Sequence, residues 1–134
     1  DKMLAQRLGI KYLGSSCFHK LKINNRNFII YSTHGSSFST LAHGQMKAIM
    51  NLSTFIDADL YMHGHVHSLG WFQDEKFKVD MRSATVKNVT RHYVLTGGFL
   101  SYGGYAERKN LKPVRLGAPI IKLTDTEDIK VEYI

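Results

Sequence analysis

The chain has 134 residues, 43% hydrophobic and 11% aromatic. That is enough for one domain with a real core and too apolar for a disordered chain. Its formal charge of +7 favours anionic partners such as nucleic acid, nucleotides or phosphate esters, although the basic residues are scattered rather than gathered into an arm. The longest apolar stretches fall well short of the ~20 residues that cross a bilayer, and no signal-peptide pattern is present, so no membrane association is expected. Cys17 is the only cysteine and makes no internal disulfide, which fits a reducing, cytoplasmic setting. Because residue 1 is aspartate rather than methionine, further coding sequence upstream is expected.

In chain order, "FHKLKINNRNFIIYSTHG" (18–35) alternates about Asn24-Asn25, residues that accept positive φ, and predicts a β-hairpin whose second strand stops at His34-Gly35. In "STLAHGQMKAIMNLSTFI" (39–56) the apolar residues Leu41, Ala42, Met46, Ile49, Leu52 and Phe55 fall near one helical face. Ser39 or Thr40 is the expected N-cap, and Gly44 weakens the first turn. Asp57-Ala58-Asp59 reads as a helix-to-strand turn before a short strand at Leu60-Tyr61-Met62.

Beyond residue 67 the pattern is β. Phe77, Val79 and Met81 alternate, and "HYVLTGGFL" (92–100) is a strand ending in a glycine pair. "YAERKNLKP" (105–113) is a helical turn stopped before Pro113. "APIIKL" and "IKVEYI" flank the turn "TDTED" as a closing hairpin. Trp71 and Phe72 are expected in the core. The chain is therefore α+β, β-rich, with one main helix.

Three histidines stand out. "IIYSTHG" and "LYMHGHVH" each end a strand with a histidine beside a glycine, and loops behind rigid strands commonly carry binding groups. Imidazole is the usual nitrogen ligand for divalent transition metals. His65 and His67 are two apart, so an extended loop projects them to one side, next to Gly64, which permits a tight turn. His34, His65 and His67 are the candidate ligands. His63 is not assigned as one, and His19, His43 and His92 read as ordinary solvated side chains. Ser36 and Ser37 either orient a ligand or make a turn.

"STHG" followed by "DLYMHGHVH" resembles the last two motifs of the calcineurin-like metallophosphoesterases, including the helix between them and the G-H-x-H signature. The tail "VLTGGFLSYGGYAERKNLKPVRLGAPIIKL" resembles phage and bacterial members. The resemblance implies a two-sheet sandwich flanked by helices (αββα) and hydrolysis of phosphate mono- or diesters by two divalent ions (Mn, Fe, Zn or Ni). It places His34 and His65 on one ion and His67 on the other, and brings Tyr102 and Tyr105 near the rim, as substrate contacts or as packing aromatics. No catalytic group beyond the ligands is singled out.

The family's earlier motifs, D-x-H, G-D-x-x-D and G-N-H-[DE], do not occur in the sequence. Residues 1–134 thus look like the C-terminal portion of one such domain. Three neutral imidazoles do not offset the four positive charges of two cations, so a second ion should not be retained. The expectation is a hydrolase portion that is inactive by itself and prone to self-association through exposed strand edges. The alternatives are a non-catalytic phosphate or nucleic-acid binding module and a single-metal histidine site.

Overall fold

The structure, a computed structural model, describes residues 2–36 and 39–134. After a short helix α1 (Lys2–Arg7) come β1 (Ser16–Ile23) and β2 (Arg26–Thr33), paired antiparallel from Ser16↔Thr33 to Ile23↔Arg26. Asn24 takes the positive φ of the intervening turn, as the Asn-Asn pair predicted. Helix α2 (Ala42–Leu52) crosses over to β3 (Leu60–His63), which lies parallel to β2 with Thr33 opposite His63. A long hairpin, β4 (Leu69–Asp80) and β5 (Thr85–Thr96), completes a five-stranded sheet of order β1-β2-β3-β5-β4. The short helix α3 (Tyr105–Arg108) precedes β6 (Pro119–Lys122) and β7 (Lys130–Tyr133), which form a separate two-stranded sheet.

Side-chain alternation splits the core into two layers. Phe28, Ile30, Leu60 and Val94 face the small sheet and pack with Ile129, Ile121 and Val131. Tyr61, Tyr93 and Leu95 face the other way and receive Ile49, Met46 and Met50 of α2. The molecule is thus α+β, with a helix on one face of the large sheet and a second sheet on the other. Tyr61 anchors the helix layer: its hydroxyl donates to the Ile56 carbonyl (2.6 Å), accepts from the Ala58 N–H (3.0 Å), and its ring stacks on Tyr93. No helix among the described residues is long and apolar enough to cross a membrane.

Several expectations need correction. Helix α2 is shorter than 39–56. It starts after Leu41 with no side-chain cap, Ser39 instead bonding the Leu41 N–H. It ends where the Ser53 and Thr54 hydroxyls capture the Met50 and Asn51 carbonyls. The helical turn expected within 105–113 is present as α3, which stops at Arg108, ahead of Pro113. The strand expected at 92–100 begins at Thr85 and ends at Thr96, while Met81 lies in the hairpin turn with 86% exposure. Trp71 and Phe72 are exposed on edge strand β4 rather than buried.

His92, expected to be solvated, is completely buried. Trp71 donates its indole N–H to His92 Nδ1 (3.3 Å), which leaves Nε2 to carry the hydrogen given to Asp128 (3.1 Å). Burial works against the Asp128 carboxylate, but hydrogen bonds from the Ile129 N–H and His92 still hold its pKa below the ordinary value. His19 is half-buried rather than solvated, whereas His43 is exposed as expected.

Candidate functional site

Parallel pairing of β2, β3 and β5 brings the carboxyl ends of three strands to one edge of the sheet, the place where α/β sheets commonly bind ligands. Two backbone bonds lock the loops there. The Gly64 N–H donates to the Thr33 carbonyl (3.0 Å) and the His34 N–H to the Ser15 carbonyl (2.7 Å). A side chain at Gly64 would stand 3.4 Å from the His34 carbonyl oxygen, so this glycine allows the two loops to close on each other.

The result joins two of the three candidate histidines. His34 Nε2 and His65 Nδ1 are 3.2 Å apart, with the rings edge-to-face at 5.1 Å between centroids. Both side chains are exposed. The two ring nitrogens are thus in hydrogen-bond contact with each other at a solvent-exposed edge of the sheet.

His67 is arranged differently from the sequence expectation. His65 (φ 68°) and His67 (φ 55°) both lie in the left-handed region, so the loop is not extended and alternation does not set their directions. His67 packs over the backbone of Gly98, where an added Cβ would meet the imidazole at 3.4 Å. Such backbone costs roughly 1–3 kcal/mol per residue and clusters where ligands are held.

His63 lies behind the pair and was not singled out from sequence. It is 3% exposed, and neither ring nitrogen has a partner among the described residues. Burial, reinforced by the neighbouring His65 and His34, pushes its pKa below 6.5, so the ring is neutral at physiological pH. Its Nε2 faces Gly35, where a Cβ would stand only 1.7 Å away. The glycine after His34 was the available signal, since it marks the close approach of a neighbour.

The donor set does not fit a pair of divalent ions. Among the described residues no group of three or more His, Cys, Asp or Glu side chains is placed to hold a metal. The nearby carboxylates act elsewhere: Asp59 accepts the Ile29 N–H (2.7 Å) and Asp57 pairs with Arg91, both ahead of β3 at the end away from the histidines. Glu107 sits exposed in α3. Tyr102 and Tyr105 are exposed. Their segment is tied to the loop beyond His34 by Lys112 Nζ, which donates to the Thr40 carbonyl (2.7 Å). Ser36 is exposed, and Ser37 lies outside the described residues.

No protein-family model and no curated protein matches the sequence. Among solved structures, a single mutant of Vps29 from Entamoeba histolytica is similar, with a TM-score of 0.45 and 16% sequence identity. The match covers 92% of this chain and 63% of that one, so the chain spans less than two thirds of that protein's length.

Proposed function

We propose that the chain carries the C-terminal ligand loops of a calcineurin-like metallophosphoesterase domain of phage or bacterial type, hydrolysing phosphate mono- or diesters, and that residues 1–134 are inactive by themselves. One observation carries the reading. Two histidines 31 residues apart, each in a motif of that family, bring ring nitrogens within 3.2 Å. In the complete domain His34 and His65, with His67, are the nitrogen ligands for Mn, Fe, Zn or Ni. Held there, such ions would supply Lewis-acid chemistry toward a phosphate ester. The part of this chain is narrower: its sheet edge fixes two imidazoles and leaves them open to solvent.

The test has two arms. Titrating the 134-residue chain with Zn²⁺ or Ni²⁺ should show one weak equivalent, lost in His34→Ala and His65→Ala. The chain should not turn over a generic phosphodiester, whereas a longer protein supplying the D-x-H, G-D-x-x-D and G-N-H motifs should, and His65→Ala in that protein should abolish it. Turnover by the short chain, or full activity of the His65→Ala protein, overturns the proposal.

Among the described residues no carboxylate joins the histidines in a metal-holding group, and this, together with the +7 charge, supports a second reading: a non-catalytic module for phosphate groups or nucleic acid. Binding to single-stranded or duplex DNA that falls steeply with salt would favour it. Salt-insensitive or absent binding would remove it.

A further inference from the structure

A second cluster of reactive side chains lies on the β1–β2 hairpin. Strand alternation puts Cys17 and His19 on the same face of β1, and the register sets Ser32 directly opposite Cys17. The three side chains close a triangle: Cys17 Sγ to His19 Nε2, 3.0 Å; Cys17 Sγ to Ser32 Oγ, 3.2 Å; His19 Nε2 to Ser32 Oγ, 2.9 Å. Cys17 and His19 are half-buried. The thiol is not sealed in, because Cys17 and Ser32 line a cleft of about 460 Å³ that also reaches Tyr12, His34, Met62 and Thr96.

The geometry points to Cys17 as a modification site for a small electrophile, specifically a hydroperoxide, assisted by His19 and Ser32. A nucleophile within hydrogen-bond reach of a base, with a third group orienting both, is the arrangement that activates thiols. With His19 Nε2 unprotonated, it takes the thiol proton as sulfur attacks, while the Ser32 hydroxyl donates to the developing thiolate. An S–O bond forms to one peroxide oxygen and the O–O bond breaks. The second oxygen leaves as hydroxide and takes the proton held on His19 to become water. Sulfur is oxidised by two electrons to the sulfenic acid and the peroxide is reduced. The cleft provides the approach, and nothing in the step needs the histidines of the metal reading.

Because Cys17 is the only thiol, reactivity reads out directly. The experiment follows Cys17 by intact mass and dimedone trapping after hydrogen peroxide, and in parallel by iodoacetamide, across pH 5.5–9. The comparison is between the folded chain and the same chain unfolded in urea. The folded thiol should react at least tenfold faster at neutral pH. His19→Gln should remove most of that at least tenfold advantage and flatten the pH profile. Ser32→Ala should lower the folded rate less, and neither change should alter the unfolded rate. A folded thiol no faster than the unfolded one, or an unchanged rate and profile in His19→Gln, overturns the assignment. Should His19→Gln fail to fold, the folded-against-unfolded comparison of the unsubstituted chain decides alone.

Discussion

Gly35→Ala tests whether the contact between the two histidine loops is as tight as the structure shows. Gly35 has φ +69°, and an added methyl would lie 1.7 Å from His63 Nε2 and 1.9 Å from Cδ2. Left-handed backbone costs an alanine about 1–2 kcal/mol, partly offset by about 0.4–1 kcal/mol of lost freedom in the unfolded chain. The steric clash costs more. His63 is 3% exposed, so its ring cannot swing into solvent, and overpacking of this kind costs about 1–3 kcal/mol. The expected loss is about 2–4 kcal/mol. His63→Ala removes the ring that the methyl strikes, together with two buried nitrogens that lack partners. In the His63→Ala background, Gly35→Ala should therefore cost only the backbone strain, about 1 kcal/mol. The assay is urea unfolding of all four proteins at pH 8, where the His63 ring is neutral, with m-values compared to confirm that the midpoints report stability. A coupling of about 1–3 kcal/mol is expected. If the two substitutions add to within ~0.5 kcal/mol, the loops do not touch as described and the reasoning fails.

Gly117→Ala should be more damaging than Gly9→Ala. A Cβ at Gly117 would stand 1.9 Å from the Ile134 carbonyl oxygen, whereas Gly9 has open space and carries only the left-handed φ; thermal midpoints of the two variants make the comparison. His92→Ala should cost roughly 3 kcal/mol in urea, since it empties a fully buried ring site, leaves the Trp71 N–H without this partner and removes one of the bonds to Asp128. Similar midpoints for the variant and the unsubstituted chain would show that the Trp71–His92–Asp128 chain is not formed. The Asp128 carboxyl titrates below its ordinary value of 3.8 in the folded state, so the unfolded chain binds its proton first. Its contribution is present above that value and is lost as pH falls through the lower folded one. Asp128→Asn should therefore shallow the acid limb of stability between pH 5 and pH 2, read from urea midpoints. Phe77→Ser, at a side chain 79% exposed on the hairpin, should change stability by no more than ~0.5 kcal/mol.

What the sequence disclosed depended on how local the responsible contact is. The β1–β2 hairpin was legible because alternation and an Asn-Asn turn act over a few residues. The fold class and the order helix, strand, histidine loop followed from the same short-range patterns. The ends of α2 were not, because Ser53 and Thr54 turn their hydroxyls back onto carbonyls that helical periodicity assigns to the next turn. Trp71 and Phe72 pointed to the core on hydrophobicity alone, but β4 is an edge strand. His92 reads as solvated from sequence because its partners Trp71 and Asp128 lie 21 and 36 residues away. At the candidate site, His34 and His65 could be paired from their motifs. The burial of His63 under Gly35 required the parallel register that sets Thr33 opposite His63.

The backbone of the histidine loop also bears on function. His65 and His67 both occupy left-handed backbone, where a β-carbon costs about 1–2 kcal/mol and glycine costs nothing comparable. Glycine at both positions would shed that strain, as at Gly35 and Gly97, although the β4–β5 turn also carries a non-glycine residue, Ala84, at φ 52°. The histidine loop carries imidazoles there instead. His65 rests in contact with His34, and His67 rests on Gly98, so packing across the sheet edge holds the strained conformation. Strain retained at two positions in one five-residue stretch, beside a pair of convergent ring nitrogens, is what a loop kept for its side chains should show. Replacing His67 by glycine should then leave stability unchanged or raise it by up to about 1 kcal/mol. A large loss would mean that His67 serves the fold through its packing.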